Sequence, residues 1–457
     1  PIGCPEFLKK TSFSIFRRDY LLRGLVLKSL KKLFLLLIFV GLIAAGVFYF
    51  RDTEAPQLSL APGSGSVSKE TKLLLSLNDE GTGIKNVQVV VLQGENRFPL
   101  VKRDFPPQTG VADLELDLSV LKLQEGGLQI EVSTTDQSIY HFTKGNSTQQ
   151  LFTLTYDSRA PIISLLSKAH NFIKGGSGLV VFGLNEEIET AGVQFGDYFF
   201  PAFQQKSGHY ACLLAYPYNV KESDFVPRVV ARDLAGNERQ LGIYYRATNK
   251  KFRQRKINIS DRFLSQKIPE FETMAPDAVN PLDIFLYVNR EVRQQNRDKI
   301  AEFSSKTAST PLWEGHFLRQ PKAASLARFA DYRTYYYKKK KIDKQVHLGQ
   351  DLASVAQAEI VAENTGEVIW AEYMGIYGLC VIVDHGLGLQ SLYAHMSQLD
   401  VQLGEMVTRG QVLGRSGATG MAGGDHLHLG IFVSGVPVQP IEWWDAHWLR
   451  DNIESKL

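Results

Sequence analysis

Four histidines and one aspartate fall in three short pieces: His347-Leu348-Gly349-Gln350-Asp351, Tyr393-Ala394-His395 and His426-Leu427-His428. Imidazole nitrogens and carboxylate oxygens are the donors that zinc prefers, at about 2.0–2.2 Å in a tetrahedron. A catalytic zinc takes three of them from the protein and leaves the fourth position to water. On a strand, positions i and i+2 face the same side, so His426 and His428 converge on one point. Gly349 argues against a helix between His347 and Asp351. On an extended segment 347, 349 and 351 share a face, and the glycine at the midpoint leaves space for an ion between the two ligands. His395 completes the set from a separate strand. A single histidine in such a sequence is best read as a hydrogen-bonded structural group, and His141, His170, His209, His316, His385 and His447 are read so. Five ligand-type residues in three spaced pieces point instead to a metallohydrolase.

The elements that must hold these residues read as β-structure. From about residue 311 the chain is a series of strand-like runs: 367–373, 379–386, 389–396, 407–417 and 426–433. The loops between them are too short for helical crossovers, which predicts an all-β domain of antiparallel type. Upstream, 247–310 changes character. Ser260 can cap a short helix, and Asn280-Pro281 opens a longer one with Ile284, Val288 and Val292 at i, i+4 and i+8 on one face. This helical linker is expected to brace the domain that follows; a lid over the site is the alternative. Further upstream a phrase repeats: Asp52-Thr53-Glu54-Ala55-Pro56 and Asp157-Ser158-Arg159-Ala160-Pro161, each leading into short β-rich runs, with Asp136 and Asp233 at equivalent places near their ends. Short strands at this spacing predict two β-sandwiches at 53–156 and 157–246. The opening and the D-x-A-G-N turn resemble bacterial immunoglobulin-like modules, read as spacers.

Residues 33–50 are an uninterrupted apolar run, long enough as helix to span about 27 Å. A basic segment, 1–32, precedes it. Basic residues stay on the cytoplasmic side, so the expectation is a single-pass helix in the inner (cytoplasmic) membrane, with the lipid bilayer as a partner, the N-terminus inside and the catalytic part periplasmic or extracellular. A cleaved signal peptide is disfavoured, because the apolar run continues past Ala44-Ala45-Gly46 with no polar stretch. Residues 8–30 mix Leu and Phe with basic residues and suit either an interfacial helix or a solvated basic tail. With a net charge of +3 over 457 residues, and no basic module, nucleic acid is excluded as a partner. Cys4, Cys212 and Cys380 have no CxxC spacing, which argues against a disulfide framework and a thiolate metal site. The 404–414 segment looks like the hairpin of biotinyl or lipoyl carriers, but 345–455 contains no lysine, so that reading and Schiff-base chemistry both fail. Lys338–Lys341 reads as a solvated hairpin tip.

H-x-G-x-D, Y-x-H and H-x-H in this order, with a glycine-rich stretch before the last, resemble the lysostaphin/LytM-type zinc metallopeptidases, which hydrolyse peptidoglycan peptides. The resemblance covers 311–445, with 446–457 a C-terminal tail. It implies one Zn2+ per chain, held by His347, Asp351 and His428. It also implies that His395 and His426 are the non-ligand histidines, one accepting a proton from water and the other serving the oxyanion or the leaving amine. The family's H-x-H usually follows a Gly-Pro step; Gly424-Asp425 stands here. The chain is thus expected to be mainly β: a transmembrane helix, two immunoglobulin-like sandwiches, a helical linker and an all-β LytM-type domain. Its implied function is cell-wall remodelling through hydrolysis of peptidoglycan cross-links, with the peptidoglycan peptide as substrate and cell-wall or division proteins as candidate partners. The alternative is a non-catalytic LytM-type domain that activates a cell-wall amidase. Such domains typically lose metal ligands, and all are present here.

Overall fold

The computed structural model describes residues 12–457, with side chains from residue 28 onward. Cys4 and the start of the expected interfacial segment lie outside the described residues. With 43% strand against 20% helix the chain is mainly β. It divides into two compact units, Pro1–Ser158 and Arg159–Leu457.

The first unit opens on one continuous helix, Ser12–Tyr49. Its Lys28–Tyr49 stretch has a mean hydropathy of 2.4, and none of it is buried. Leu33, Phe34, Leu37, Phe39 and Leu42 all stand open around the helix. By length and composition it can cross a membrane.

After the helix, two sheets close over one core. Gln57–Ala61, Leu73–Asn78 and Val111–Leu116 form the smaller, and the larger runs in the order Gly65–Val67, Ser147–Tyr156, Gly126–Asp136, Ile84–Gln93 and Asn96–Asp104. Leu75, Leu116, Val89, Ile130 and Leu154 fill the space between. Asp52 of the repeated phrase and Asp136 near the end of the unit are turn fasteners. Asp52 Oδ2 accepts the Thr82 amide at 2.6 Å, and Asp136 Oδ1 accepts the amides of Ser138 at 3.0 Å and Asn146 at 2.8 Å.

The second unit begins with two four-stranded sheets. One contains Ser177–Leu184 and Tyr210–Ala215, the other Ile188–Phe195 and Arg228–Asp233. Asp233 closes its turn by accepting the amides of Ala235 and Asn237. The core of these sheets does not end with them. Phe172, Leu213, Tyr216 and Phe225 belong to the same cluster as Trp313, Phe317, Leu389, Ile431, Val433 and Trp443. A spacer would keep its own core; this module shares one with the residues behind the histidine site.

That site lies on a ten-stranded sheet whose pairings are all antiparallel, as the short loops predict. Leu427–Val433 and Leu389–Leu399 run through its middle, with Gln350–Ala353 beside the first. A smaller sheet adds Asp331–Tyr337 and Lys340–His347, joined by a turn in which Lys338 and Lys339 take positive φ, so the lysine run is a hairpin tip. Gln254–Ile259 pairs parallel with Asp331–Tyr337, so the linker begins as a strand. Ser260 then caps Asp261–Lys267, and Asn280 caps Pro281–Tyr287. The longer helix is not uniform. A π-helical turn, Val288–Val292, separates Pro281–Tyr287 from Arg293–Glu302. Ile284, Val288 and Val292 are buried against Ile376 and Tyr377 of a short 3-10 turn and Cys380 of the sheet, so this segment packs as a brace.

Candidate functional site

The ladder of the large sheet brings the separated pieces together. Asp351 pairs with His428, and His428 pairs on its other side with Ala394. His347 ends the hairpin strand just before Gln350–Ala353. These pairings leave His347 Nε2 2.8 Å from Asp351 Oδ1 and 2.9 Å from His428 Nδ1, with His428 Nδ1 2.9 Å from the same oxygen. All three residues are buried.

His395 reaches the site by a different device. Its neighbour Ala394 points with Leu392 into the core beneath the linker helices, whereas Tyr393 and Met396 point into the opposite core. Strict alternation would send His395 to the far side. Its backbone instead takes φ +62°, at a register shift against the Leu379–Asp384 strand, and the ring turns to lie 4.9 Å from His426 and 5.7 Å from His428, between ring centres. A left-handed conformation at a non-glycine residue is strained and is kept where surrounding structure enforces it. His426 stands just before the strand, its Nε2 3.7 Å from Asp351 Oδ1.

Backbone carbonyls set the tautomers. His347 Nδ1 donates to Arg328 O at 3.0 Å, His395 Nδ1 to Thr419 O at 2.9 Å, and His426 Nδ1 to Gly424 O at 2.8 Å. Each neutral ring therefore presents a bare Nε2 to the site. For His347 that lone pair faces a carboxylate oxygen at hydrogen-bond distance with no proton between them. A cation between the two removes the repulsion, so the donor set fits a metal ion. Burial works against charge on Asp351, but His347, His426 and His428 around it hold its carboxyl well below the usual range. Burial, with the other imidazoles, pushes His395 well below its ordinary value, and burial brings His428 down to about 4. Burial also pulls on His426, but Asp351 outweighs it and the net direction is upward.

Gly349 has a different purpose from the one its position suggests. A Cβ there would meet Leu429 O at 2.5 Å and the His428 ring at 2.6 Å. The missing side chain admits the imidazole of the facing strand; it does not leave a chamber for the ion.

Residues 345–440 match the family model described as Peptidase family M23. This is an M23 peptidase domain. Three relatives align over stretches of similar length. The DD-carboxypeptidase/endopeptidase Mpg of Neisseria meningitidis serogroup B is 34% identical over 97 residues, 21% of this chain and 22% of its own length. The peptidoglycan DD-endopeptidase ShyA of Vibrio cholerae is 33% identical over 96 residues, again 21% and 22%. The murein hydrolase activator EnvC of Escherichia coli is 34% identical over 95 residues, 21% and 23%. The matched region spans less than a quarter of each relative.

The site is also lined by residues that no motif in the sequence marks. Arg333 Nη2 donates to Asp351 Oδ2 at 3.1 Å, opposite the oxygen that faces the histidines. A cavity of about 580 Å³ opens over the five residues and is walled by Phe285 and Arg293 of the linker, Tyr335, Ile376 and Tyr377. Arg333 sits in a tyrosine-rich strand, and Arg293 lies 54 positions before His347; only the fold brings them to the site. The histidines read as structural are so where they are buried. His385 bonds Thr365 O and Ser391 Oγ, and His170 bonds Ser167 Oγ and Tyr244 O.

Proposed function

We propose that this protein is a membrane-anchored zinc metalloendopeptidase that hydrolyses peptide cross-links of peptidoglycan. His347, Asp351 and His428 would hold the zinc, and His395 and His426 would handle protons. The observation that carries the reading is the cluster itself: three ligand-type atoms within 2.9 Å of one another, with a bare imidazole nitrogen among them. Zinc bound there supplies a Lewis acid that activates water near neutral pH and polarises the scissile carbonyl.

The chain's own residues do the rest. Thr419 O and Gly424 O orient His395 and His426 so that both present Nε2. One ring of this pair accepts the proton of the attacking water, and the other, once protonated, hydrogen-bonds the developing oxyanion and serves the leaving amine. Arg333 holds Asp351 by its outer oxygen and keeps the ligand oriented. With domain boundaries at 53–156, 157–246, 247–310 and 311–445 and the 33–50 helix in the inner membrane, the M23 domain would lie in the periplasm. The names of Mpg and ShyA support a DD-endopeptidase activity on peptidoglycan.

The likeness to EnvC supports a second reading, a domain that activates another hydrolase. All five site residues favour catalysis over it. Detergent-solubilised full-length protein, incubated with defined cross-linked muropeptides with and without chelator, tests the two. Mass spectrometry is expected to show a cut peptide bond that chelator abolishes. Zinc bound at one per chain with no cut bond would turn the reading to the activator.

A further inference from the structure

The cavity over the histidines carries more positive charge than holding a metal requires. Its charged walls are Arg255, Arg293 and Arg333, and Asp351 is the sole carboxylate among its described lining residues. Two of the arginines are engaged. Arg333 donates to Asp351, and Arg255 donates to Leu326 O at 3.3 Å and lies 3.9 Å from Asp331 Oδ2.

Arg293 is different. Its Nε donates to Asn289 O at 3.1 Å and its Nη2 to Asn289 Oδ1 at 2.6 Å, both neutral acceptors. No carboxylate among the described residues lies within 4.0 Å of it. Asn289 is itself fixed by donating to Asp343 Oδ2 at 2.7 Å, so the guanidinium is aimed from behind while Nη1 is left without a protein partner. The residue follows the π-helical turn, a geometry that recurs where a helix is bent to place a functional group. Burial, more than any other influence, lowers its pKa.

A half-buried guanidinium beside Phe285, Tyr335 and Tyr377, with neutral partners alone, is unfavourable unless an anion joins it. Its planar fork matches a carboxylate. We propose that Arg293 anchors a carboxylate subsite in the catalytic cavity, so that the preferred substrates are peptides carrying a free carboxylate next to the scissile amide and not neutral bridges. This rests on the reading of the cavity as a hydrolytic site. Arg293 acts here as a specificity residue; the ion pair it forms with substrate is separate from the bond cleaved.

The test uses two synthetic cross-linked peptides, identical except that the carboxyl group beside the scissile amide is free in one and a carboxamide in the other. Zinc-loaded full-length protein in detergent is expected to prefer the acid roughly 10–100-fold in kcat/KM, mostly through KM, the range of a charge-assisted hydrogen-bonded contact. Arg293→Gln is expected to abolish the preference and Arg293→Lys to keep part of it, with zinc content unchanged in both. Equal cleavage of the two peptides by the wild type, or an undiminished preference in Arg293→Gln, overturns the proposal. Calorimetric binding of both peptides to the metal-free wild type and variants is the independent arm. If neither peptide is cut, the hydrolase reading fails, but tighter Arg293-dependent binding of the acid still supports the subsite and equal binding overturns it. If Arg293→Gln does not fold, Arg293→Lys and the wild-type comparison decide.

Discussion

Glu270 Oε1 accepts the backbone amide of Gly420 at 2.6 Å, tying the linker to the loop that orients a site histidine. The same carboxylate accepts Tyr373 Oη at 2.8 Å on Oε1 and Lys267 Nζ at 2.6 Å on Oε2, and Lys267 also donates to Ala418 O. Between Ala418 and Gly420 stands Thr419, whose carbonyl receives His395 Nδ1. The brace thus holds the acceptor that sets the His395 tautomer. Glu270→Ala is expected to lower kcat about 10-fold, part of the roughly 10²–10⁴-fold that general acid–base catalysis contributes, while leaving bound zinc near one per chain. Unchanged kcat, or loss of zinc in step with activity, would show that the clamp does not act through His395.

The two classes of histidine separate in a metal assay. His428→Ala removes a donor 2.9 Å from both other ligand-type atoms and is expected to lose metal and activity together. His395→Ala removes a ring that makes no hydrogen bond to them and is expected to keep the metal while losing at least 100-fold in rate. Zinc content by atomic absorption, measured beside turnover, distinguishes the pair. A fully active His395→Ala protein would sink the assignment.

Gly349→Ala tests the close approach of strand and ring. The added Cβ would overlap Leu429 O, which is backbone and cannot move away cheaply, and the His428 imidazole. Overpacking of this kind destabilises by about 1–3 kcal/mol. Metal affinity is expected to fall with stability, because the displaced ring is a ligand. Zinc titration against a competing chelator, with urea unfolding of the metal-free protein, reads both. Unaltered affinity would mean that the ion is held without His428 in this position.

Stability should fall as pH rises toward 8. Glu363 is fully buried, with Oε2 accepting Trp444 Nε1 at 2.9 Å and Oε1 without a partner, and burial raises its pKa to about 8. Glu442, also buried, is raised to about 7. The folded state keeps protons that the unfolded chain releases near 4.5. Their contribution is therefore complete below about pH 4.5 and is lost as pH rises through 7 to 8. Urea unfolding of the metal-free protein at pH 5 and pH 8 is expected to show the wild type losing a few kcal/mol more than Glu363→Gln. Equal losses in the two proteins would mean that Glu363 is not protonated in the fold.

The local patterns in the chain carried much of this. The period-two spacing of His426 and His428, the apolar run at 33–50, the caps at Ser260 and Asn280 and the antiparallel β character after residue 311 are all readable over a few positions, because each depends on near neighbours alone. So was the likeness of the three histidine-bearing pieces to one peptidase family.

What the tertiary structure decided depends on contacts between distant segments. Gly349 faces a histidine ring because Asp351 pairs with His428, 77 positions away. His395 enters the site through a strained, left-handed backbone that alternation along a strand does not foresee. The second sandwich shares its core with Trp443 and Ile431, and Arg293 becomes a wall of the cavity over the histidines because its helix packs on a sheet formed much later in the chain. Spacing along the chain names the donors; only the register between strands and the packing of a distant helix decide which atoms meet, and which charge is left lining the cavity.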